Sequence, residues 1–311
     1  MGRSGEKPIR EARVARAADL DARGLEEASA RLRASAAFRP ALARYCLAMS
    51  DVPTEGWPLY KMFDQLSRYL ICYMLIYNYY EWRDRGGRPP TLSALQKLVP
   101  SSPRQTAGFV ASLKVGRFIT TEDDPADRRS KLLRPGPAVI GEIGRSPRLF
   151  LRALDEIESP AELRAARLVA PEMLGRMVHF SAADVLANGT LLHGFPTVLH
   201  FAQRDCGYPL LTAIMADHYT RTLPAVGAPP TLTRRALAQR FQVSAAHVGN
   251  LISEAAAYGW FVLAGADRVA AVAPDFAAAF ERWCSLQMIH VAGLWGEVQD
   301  ATVAPDLAVA T

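Results

Sequence analysis

Two long apolar stretches dominate the pattern of hydrophobic and polar positions along the chain. They occupy residues 57–82 and 195–221, and each one ends at a break that is rich in Gly and Pro. An apolar-rich segment of this length between such breaks is typical of a buried helix of about 20 residues. The pattern therefore predicts two long helices in the interior of the protein.

The pattern after each long stretch recurs as well. The motif RPPTL at residues 88–92 returns as APPTL at residues 228–232, and a serine follows in both copies, Ser102 and Ser244. A serine is a preferred helix N-cap, and Pro103 suits the first helical position. Apolar side chains then recur at helical spacing in both copies: Thr106, Phe109, Val110 and Leu113 in the first, and Val248, Leu251 and Ile252 in the second. We interpret this as an internal repeat.

A charged hairpin is predicted after each of these helices. In the first copy the sequence TTEDDPADRRSKLLRPG spans residues 120–136, with strands expected at 118–121 and 130–133 and a turn at 122–127. In the second copy the hairpin is shorter and keeps a single base, Arg268. The predicted order of elements in each copy is therefore a long helix, a short helix, a turn, a helix, a hairpin and a helix.

Charge changes this picture locally. The net charge of +5, from 36 bases and 31 acids, is weak evidence by itself. Between residues 104 and 134, however, seven bases face four acids. The excess lies on the helix and hairpin of the first copy, and it favours a polyanionic partner there.

A helix-turn-helix followed by a hairpin is the pattern of a winged-helix DNA-binding module. We therefore expect a mainly α fold with small β-hairpin wings, in which two winged helix-turn-helix domains are joined by long helices into a pseudo-dimer. The predicted divisions are an N-terminal helical arm at 1–50, a first winged-helix domain at 51–157, a helical connector at 158–194, a second winged-helix domain at 195–299 and a flexible tail at 300–311.

The segment DDPADRRSKLLRPG, preceded by LKVGRFI, resembles the wing signature of MarR-type winged helix-turn-helix transcription regulators. The resemblance covers roughly residues 57–157, and it implies that an Asp-x-Arg pair, here Asp127 and Arg129, braces the wing. Members of this family are usually homodimers of single-domain chains. Two copies in one chain therefore imply an intramolecular pseudo-dimer, and further homodimerisation stays open.

The resemblance also implies a small-molecule effector, because MarR-type regulators often bind phenolic compounds next to the long helix. The tyrosine-rich sequence YLICYMLIYNYYEW begins at Tyr69 in that helix. Aromatic side chains at helical spacing are, however, more often plain core or a helix interface. Both interpretations of this stretch stay open.

The candidate DNA contacts belong to the two repeated modules. Arg and Gln suit bidentate contacts to guanine and adenine edges, so Arg104 and Gln105 are the candidates for base reading. A solvated helix face, or a charged hairpin that protects a sheet edge, is the alternative. The full candidate set is Ser102, Arg104, Gln105, Thr106, Lys114, Arg117, Arg128, Arg129, Lys131, Arg134, Arg234, Arg235, Ser244, His247, Asn250 and Arg268, although the spacing of Thr106 places it with the apolar face.

Other classes of function receive little support. The sequence contains no GxSxG, HExxH or phosphate-loop motif, so we expect no enzyme, and its four scattered cysteines predict neither a metal site nor a cofactor. Without a 20-residue apolar run or a signal peptide, a cytoplasmic, nucleoid-associated protein is expected. The leading hypothesis is a sequence-specific double-stranded DNA-binding transcription regulator that reads a pseudo-palindromic or asymmetric site with two unequal heads. A plasmid-type replication initiator with tandem winged helices and a protein-interaction scaffold are the alternatives.

Overall fold

The protein is mainly helical and contains two small antiparallel hairpins within its described residues. A computed structural model describes residues 23–52, 59–124, 127, 129–223, 226–227, 232–265 and 268–307. This agrees with the predicted mainly α fold with small β-hairpins. None of the described helices is long and apolar enough to cross a membrane.

The first ten elements extend from the start of the described chain to the second helix after the first hairpin. They are α1 (23–34), α2 (Phe38–Ser50), α3 (Leu59–Phe63), α4 (Leu66–Arg85), α5 (Leu92–Leu98), α6 (Pro103–Val115), β1 (Ile119–Asp123), β2 (Lys131–Pro135), α7 (Pro137–Ile143) and α8 (Arg145–Glu158). We call residues 59–158 the first half.

The remaining elements form a second series. They are α9 (Arg164–Arg167), α10 (Pro171–Asn188), a 3₁₀ turn (Leu191–Gly194), α11 (Pro196–Ala202), α12 (Gly207–Thr222), α13 (Arg234–Phe241), α14 (Ala245–Ala257), β3 (Phe261–Ala264), β4 (Arg268–Val272) and α15 (Pro274–Leu307). We call residues 196–307 the second half.

The order of elements in the first half recurs in the second half. A short helix, a long helix, two helices with threonine and serine N-caps and a hairpin follow one another in both. The repeat extends to backbone conformation, since the second residue after α6 and the second residue after α14 take positive φ: Arg117 at 57° and Gly259 at 74°. These shared details agree with the repeat read from the sequence.

Each predicted long helix is broken near its start. The first break places Gln65 in an extended conformation between α3 and α4. The second lies at residues 203–206 between α11 and α12, where Cys206 takes a φ of 52°. A Cβ on the next residue, Gly207, would lie 1.8 Å from the Phe201 carbonyl oxygen, so only glycine allows this close turn.

The helices that precede each half cross over to the other half. Helix α2 packs against α12, and α10 packs against α4 in the same manner. Helix α2 also packs on α8 and α10 on α15. Tyr45 of α2, for example, stacks on Phe150 of α8 with 4.2 Å between ring centroids. The two halves therefore share one continuous hydrophobic core.

This packing revises three of the predicted divisions. The predicted arm at 1–50 contains α2, whose Ala41, Leu42 and Tyr45 are fully buried, and the predicted connector at 158–194 contains α10, which is part of the core. The predicted flexible tail begins within α15, which continues to Leu307. Residues 1–22 and 308–311 lie outside the described part of the chain.

Candidate nucleic-acid interface

Helices α5 and α6 form a capped pair at the surface of the first half. The Thr91 hydroxyl accepts a hydrogen bond from the Ala94 N–H at 3.2 Å, which caps α5. The Ser102 hydroxyl accepts from the Gln105 N–H at 3.3 Å, and the Gln105 side-chain Oε1 accepts from the Ser102 N–H at 3.3 Å. This capping box, with Pro103 as the first helical residue, confirms the predicted start of α6.

The two faces of α6 are clearly separated. Thr106, Val110 and Leu113 are buried, and the Thr106 hydroxyl donates to the Ser102 carbonyl at 3.1 Å. The prediction of Thr106 as a DNA contact is therefore wrong, because this side chain has no exposed surface. Arg104 and Lys114 are exposed on the same helix, where they can reach a partner.

The side chain of Gln105 has a competing role inside the protein. Its Oε1 accepts hydrogen bonds from both the N–H and the hydroxyl of Ser102, at 3.3 and 3.0 Å. A bidentate contact with adenine needs the oxygen as well as the NH₂ group. Gln105 can therefore read an adenine in this manner only if the capping box opens.

Removal of the Ser102 hydroxyl gives a prediction about stability. Ser102→Ala is expected to lower the free energy of unfolding by about 1 kcal/mol, since it removes an N-cap. Ser112→Ala in the same helix is the matched control, because its exposed hydroxyl only donates back to the Gly108 carbonyl at 3.2 Å. Urea unfolding of both variants measures the difference. Equal stabilities would show that the cap contributes nothing.

The first hairpin is longer than predicted. Its strands pair from Ile119 with Pro135 to Asp123 with Lys131, so Glu122 and Asp123 belong to β1 and not to the turn. The Asp127 carboxylate accepts from the Arg129 backbone N–H at 3.0 Å and from the Ser130 hydroxyl at 3.1 Å. The contact between Asp127 and Arg129 thus uses the backbone of Arg129, whose side chain is exposed. Arg128 lies outside the described residues.

The bases on strand β2 pair with acids on β1. Lys131 forms an ion pair with Asp123, and Arg134 forms one with Glu122 at 3.0 Å. The hydrogen bond from Arg134 to Glu122 raises the pKa of this arginine. More than half of each basic side chain is exposed, and ion pairs of this kind contribute little to stability. Exposed pairs such as these can exchange a carboxylate for a phosphate at small cost.

The corresponding residues of the second half are more involved in contacts with their own protein. The His247 Nε2 lies 2.8 Å from the Asp205 carbonyl oxygen, and the backbone N–H of His247 donates to the N-cap hydroxyl of Ser244. Arg234 packs its guanidinium near Gly249, within 3.1 Å of the position that a Cβ would take there. Exposed candidates in this half are Arg235, Asn250 and Arg268. Fewer residues separate the strands of the second hairpin, 265–267, than separate those of the first, 124–130.

A cluster of polar side chains connects the two halves next to this region. The Lys61 ammonium of α3 lies 3.0 Å from the Asp64 carboxylate, 3.5 Å from Asp205 and 3.2 Å from the Cys206 sulfur. Burial raises the pKa of the Cys206 thiol, which therefore stays protonated and donates to Asp64 at 3.0 Å. No sequence motif indicates this cluster, because Lys61 and Asp64 lie about 140 residues from Asp205 and Cys206 along the chain.

The acids of this cluster also have the spacing of metal ligands. Asp64, Asp205 and Cys206 place their ligand atoms within 4.8 Å of one another. Lys61 already supplies a positive charge at the same point, since its ammonium lies within hydrogen-bond distance of Asp64. The geometry is that of a lysine bound by two carboxylates and a thiol.

A cavity of about 240 Å³ lies under the tyrosine-rich stretch, in the core shared by the two halves. Tyr69 and Tyr73 of α4 line it together with Tyr208 and Trp283 of the second half. The two predicted alternatives for this stretch are a ligand pocket and plain core. Tyr73 is compatible with both, since it is buried in the core and also borders the cavity.

No protein-family model, curated protein or solved structure matched this chain when it was compared with them. The resemblance to MarR-type regulators therefore depends on the hairpin motif and on the order of the elements.

Proposed function

We propose that this protein is a sequence-specific double-stranded DNA-binding transcription regulator with two winged helix-turn-helix units of the MarR type. The single observation that carries the proposal is the first half's capped helix α6, which exposes Arg104 and Lys114 directly before a hairpin with an exposed Arg129. In this arrangement α6 enters the major groove and the hairpin lies along the adjacent phosphates.

The two units are proposed to contribute unequally. In the first half, the exposed bases lie on both the helix and the hairpin. In the second half, His247 is hydrogen-bonded to the Asp205 carbonyl and the hairpin keeps Arg268 as its base. An asymmetric or imperfectly palindromic site follows from this difference, because the stronger unit fixes one half-site and the weaker unit tolerates variation in the other.

The shared core supports the pseudo-dimer part of the proposal. Helices α2 and α10 each pack against the long helix of the opposite half, as subunits do across a two-fold interface. One chain thereby presents both units without a partner chain. Further homodimerisation would add a second pair of units.

The alternative of a protein-interaction scaffold is favoured by the ion pairs of Lys131 and Arg134 with acids of their own hairpin. A scaffold of this kind would not bind duplex DNA. The alternative of a replication initiator differs only in its site, since it would select direct repeats at an origin in place of one promoter site. A DNA-binding function of either kind implies that the protein acts at the nucleoid.

The test is a measurement of binding to duplex DNA. Fluorescence anisotropy with a labelled random duplex at low salt is expected to show binding that weakens steeply as salt is added, because phosphate contacts release counterions. Selection of bound sequences from a random duplex pool then separates one imperfect palindrome from direct repeats. A chain that binds no duplex even at low salt would contradict the proposal and support the scaffold.

A further inference from the structure

Helix α6 presents one stripe of side chains on the side away from its buried face. Its members are exposed and recur every three or four residues, as neighbours on one helix face do: Arg104, Gly108, Ala111 and Val115. After Arg104, the stripe contains no side chain that can form a hydrogen bond. Val115 is 86% exposed, the largest value for a large hydrophobic side chain among the described residues. The stripe is therefore an apolar surface next to a single guanidinium group.

Gly108, in the middle of this stripe, is not explained by the packing of the protein itself. A Cβ at this position would meet no atom within 4 Å, and the φ of Gly108 does not lie in the left-handed region. Glycine is less favourable than alanine in the interior of a helix. Glycine does, however, allow a helix backbone to approach a ligand closely. The missing side chain thus indicates close contact with a partner outside the chain.

The base edges in the major groove of DNA offer matching partners for this stripe. Guanine presents two acceptors that suit Arg104, whereas thymine presents a C5-methyl group that apolar side chains contact. Ala111 and Val115 lie four residues apart, which is about 6 Å along the helix axis. Two base-pair steps of about 3.4 Å each cover nearly the same distance. The two side chains can therefore contact the methyl groups of two thymines in one groove.

The repeat supplies a comparison within the same chain. When the N-cap serines of α6 and α14 are aligned, Asn250 takes the place of Gly108, and Ser253 takes the place of Ala111. Both of these side chains in α14 are exposed, and both carry hydrogen-bonding groups. The two units thus differ in the chemistry that they present to base pairs, and the apolar stripe belongs to the first half.

We propose, on the basis of the DNA-binding function proposed above, that the outward stripe of α6 selects thymine through its methyl group. Ala111 and Val115 contact the C5-methyl groups of two thymines about two base pairs apart. Gly108 brings the helix backbone close to the base edges, and Arg104 binds a guanine beside them. The half-site of the first unit therefore contains thymines that are read without hydrogen bonds.

The first experiment removes the methyl groups from the DNA. A duplex selected from a random pool by the full chain is expected to contain thymines within the bound site. Uracil lacks only the C5-methyl group, and its substitution for these thymines is expected to weaken binding roughly tenfold in anisotropy titrations, as loss of two apolar contacts does. Uracil at the same number of flanking thymines is the control, and it should leave the affinity unchanged.

Two outcomes of this experiment separate the stripe from DNA binding in general. A bound site without thymine, or equal affinity for the site with uracil, would overturn the proposal and leave the DNA-binding function standing. A chain that binds no duplex of the pool would contradict both.

The second experiment assigns the contact to α6. Val115→Ser is expected to reduce the preference for thymine over uracil from about tenfold to about threefold, because one of two apolar contacts is lost. Val169→Ser is the matched control, since this valine is 62% exposed and lies between α9 and α10. It should keep the full preference. If Val115→Ser also keeps it, Val115 does not contact thymine and the proposal is overturned.

The third experiment tests the close approach at Gly108. Gly108→Leu is expected to weaken binding of the selected duplex tenfold or more, because the new side chain separates the helix from the bases. The free energy of unfolding should stay equal or rise, since leucine is favoured over glycine in a helix and the position has open space. Gly293→Leu, at another exposed helical position with open space, should keep the affinity for DNA. Unchanged affinity of Gly108→Leu would overturn the close approach on which methyl contact depends.

Discussion

Replacing Arg104, Lys114 and Arg129 together by alanine is expected to remove roughly two orders of magnitude of affinity for duplex DNA at about 0.15 M salt. Lys114 and Arg129 are expected to contact phosphates, and the loss of two such contacts makes the slope of log K against log salt less steep by about 1.8, which is about 2 kcal/mol at this salt concentration. Arg104 is expected to contact a base edge, and the loss of that contact removes about 1 to 3 kcal/mol more. All three side chains are exposed and lie on α6 or on the loop of the first hairpin.

The control for this variant removes the same charge elsewhere. Arg23 and Arg31 of α1 and Arg152 of α8 are exposed on other elements. Their triple alanine variant is expected to change the affinity for duplex DNA only slightly. At this salt concentration, charges that do not contact the duplex are largely screened. Anisotropy titrations at several salt concentrations measure both variants. An equal loss in both would mean that net charge, and not the α6 surface, attracts DNA.

Gly175→Ala is expected to lower the free energy of unfolding by about 3 kcal/mol, as overpacking of a closely packed core does. A Cβ at this position of α10 would lie 2.0 Å from the Tyr80 hydroxyl oxygen of α4. The Tyr80 ring is 1% exposed, and the Arg83 guanidinium lies 4.3 Å above it. The ring therefore has little room to move, and α10 must shift away from α4.

Gly293→Ala is the matched control in another helix. A Cβ there meets no atom within 4 Å, and alanine is favoured over glycine in a helix by about 1 kcal/mol. This variant is expected to keep or raise the stability of the protein. Urea unfolding of both variants and the parent measures the difference. If Gly175→Ala is as stable as the parent, α10 and α4 do not approach each other closely and the shared core is packed differently.

The features that the sequence predicted are those encoded within a few neighbouring residues. Ser102 and Pro103 set the start of α6, and the spacing of Val110 and Leu113 sets its buried face. The alternation of strands and turn residues predicted the first hairpin, although pairing through Asp123 and Lys131 lengthened it. Hydrogen bonds of a cap and the period of a helix are local, so the sequence determines them before the chain folds.

Only the tertiary structure decided the features that join distant parts of the chain. The crossing of α2 and α10 to the opposite halves places predicted arm and connector segments in the core. Lys131 and Arg134 pair with acids on β1, and His247 lies within hydrogen-bond distance of the Asp205 carbonyl. These contacts within the protein make the three side chains less available to DNA, and composition does not reveal them.

By itself, the sequence thus determined a repeated, mainly helical chain with one basic helix-and-hairpin surface. The cavity, the Lys61 cluster and the unequal availability of the two surfaces arose only when side chains about 140 positions apart came together. The physical reason is that burial and partner choice depend on distances in space, whereas a sequence pattern reports only distances along the backbone.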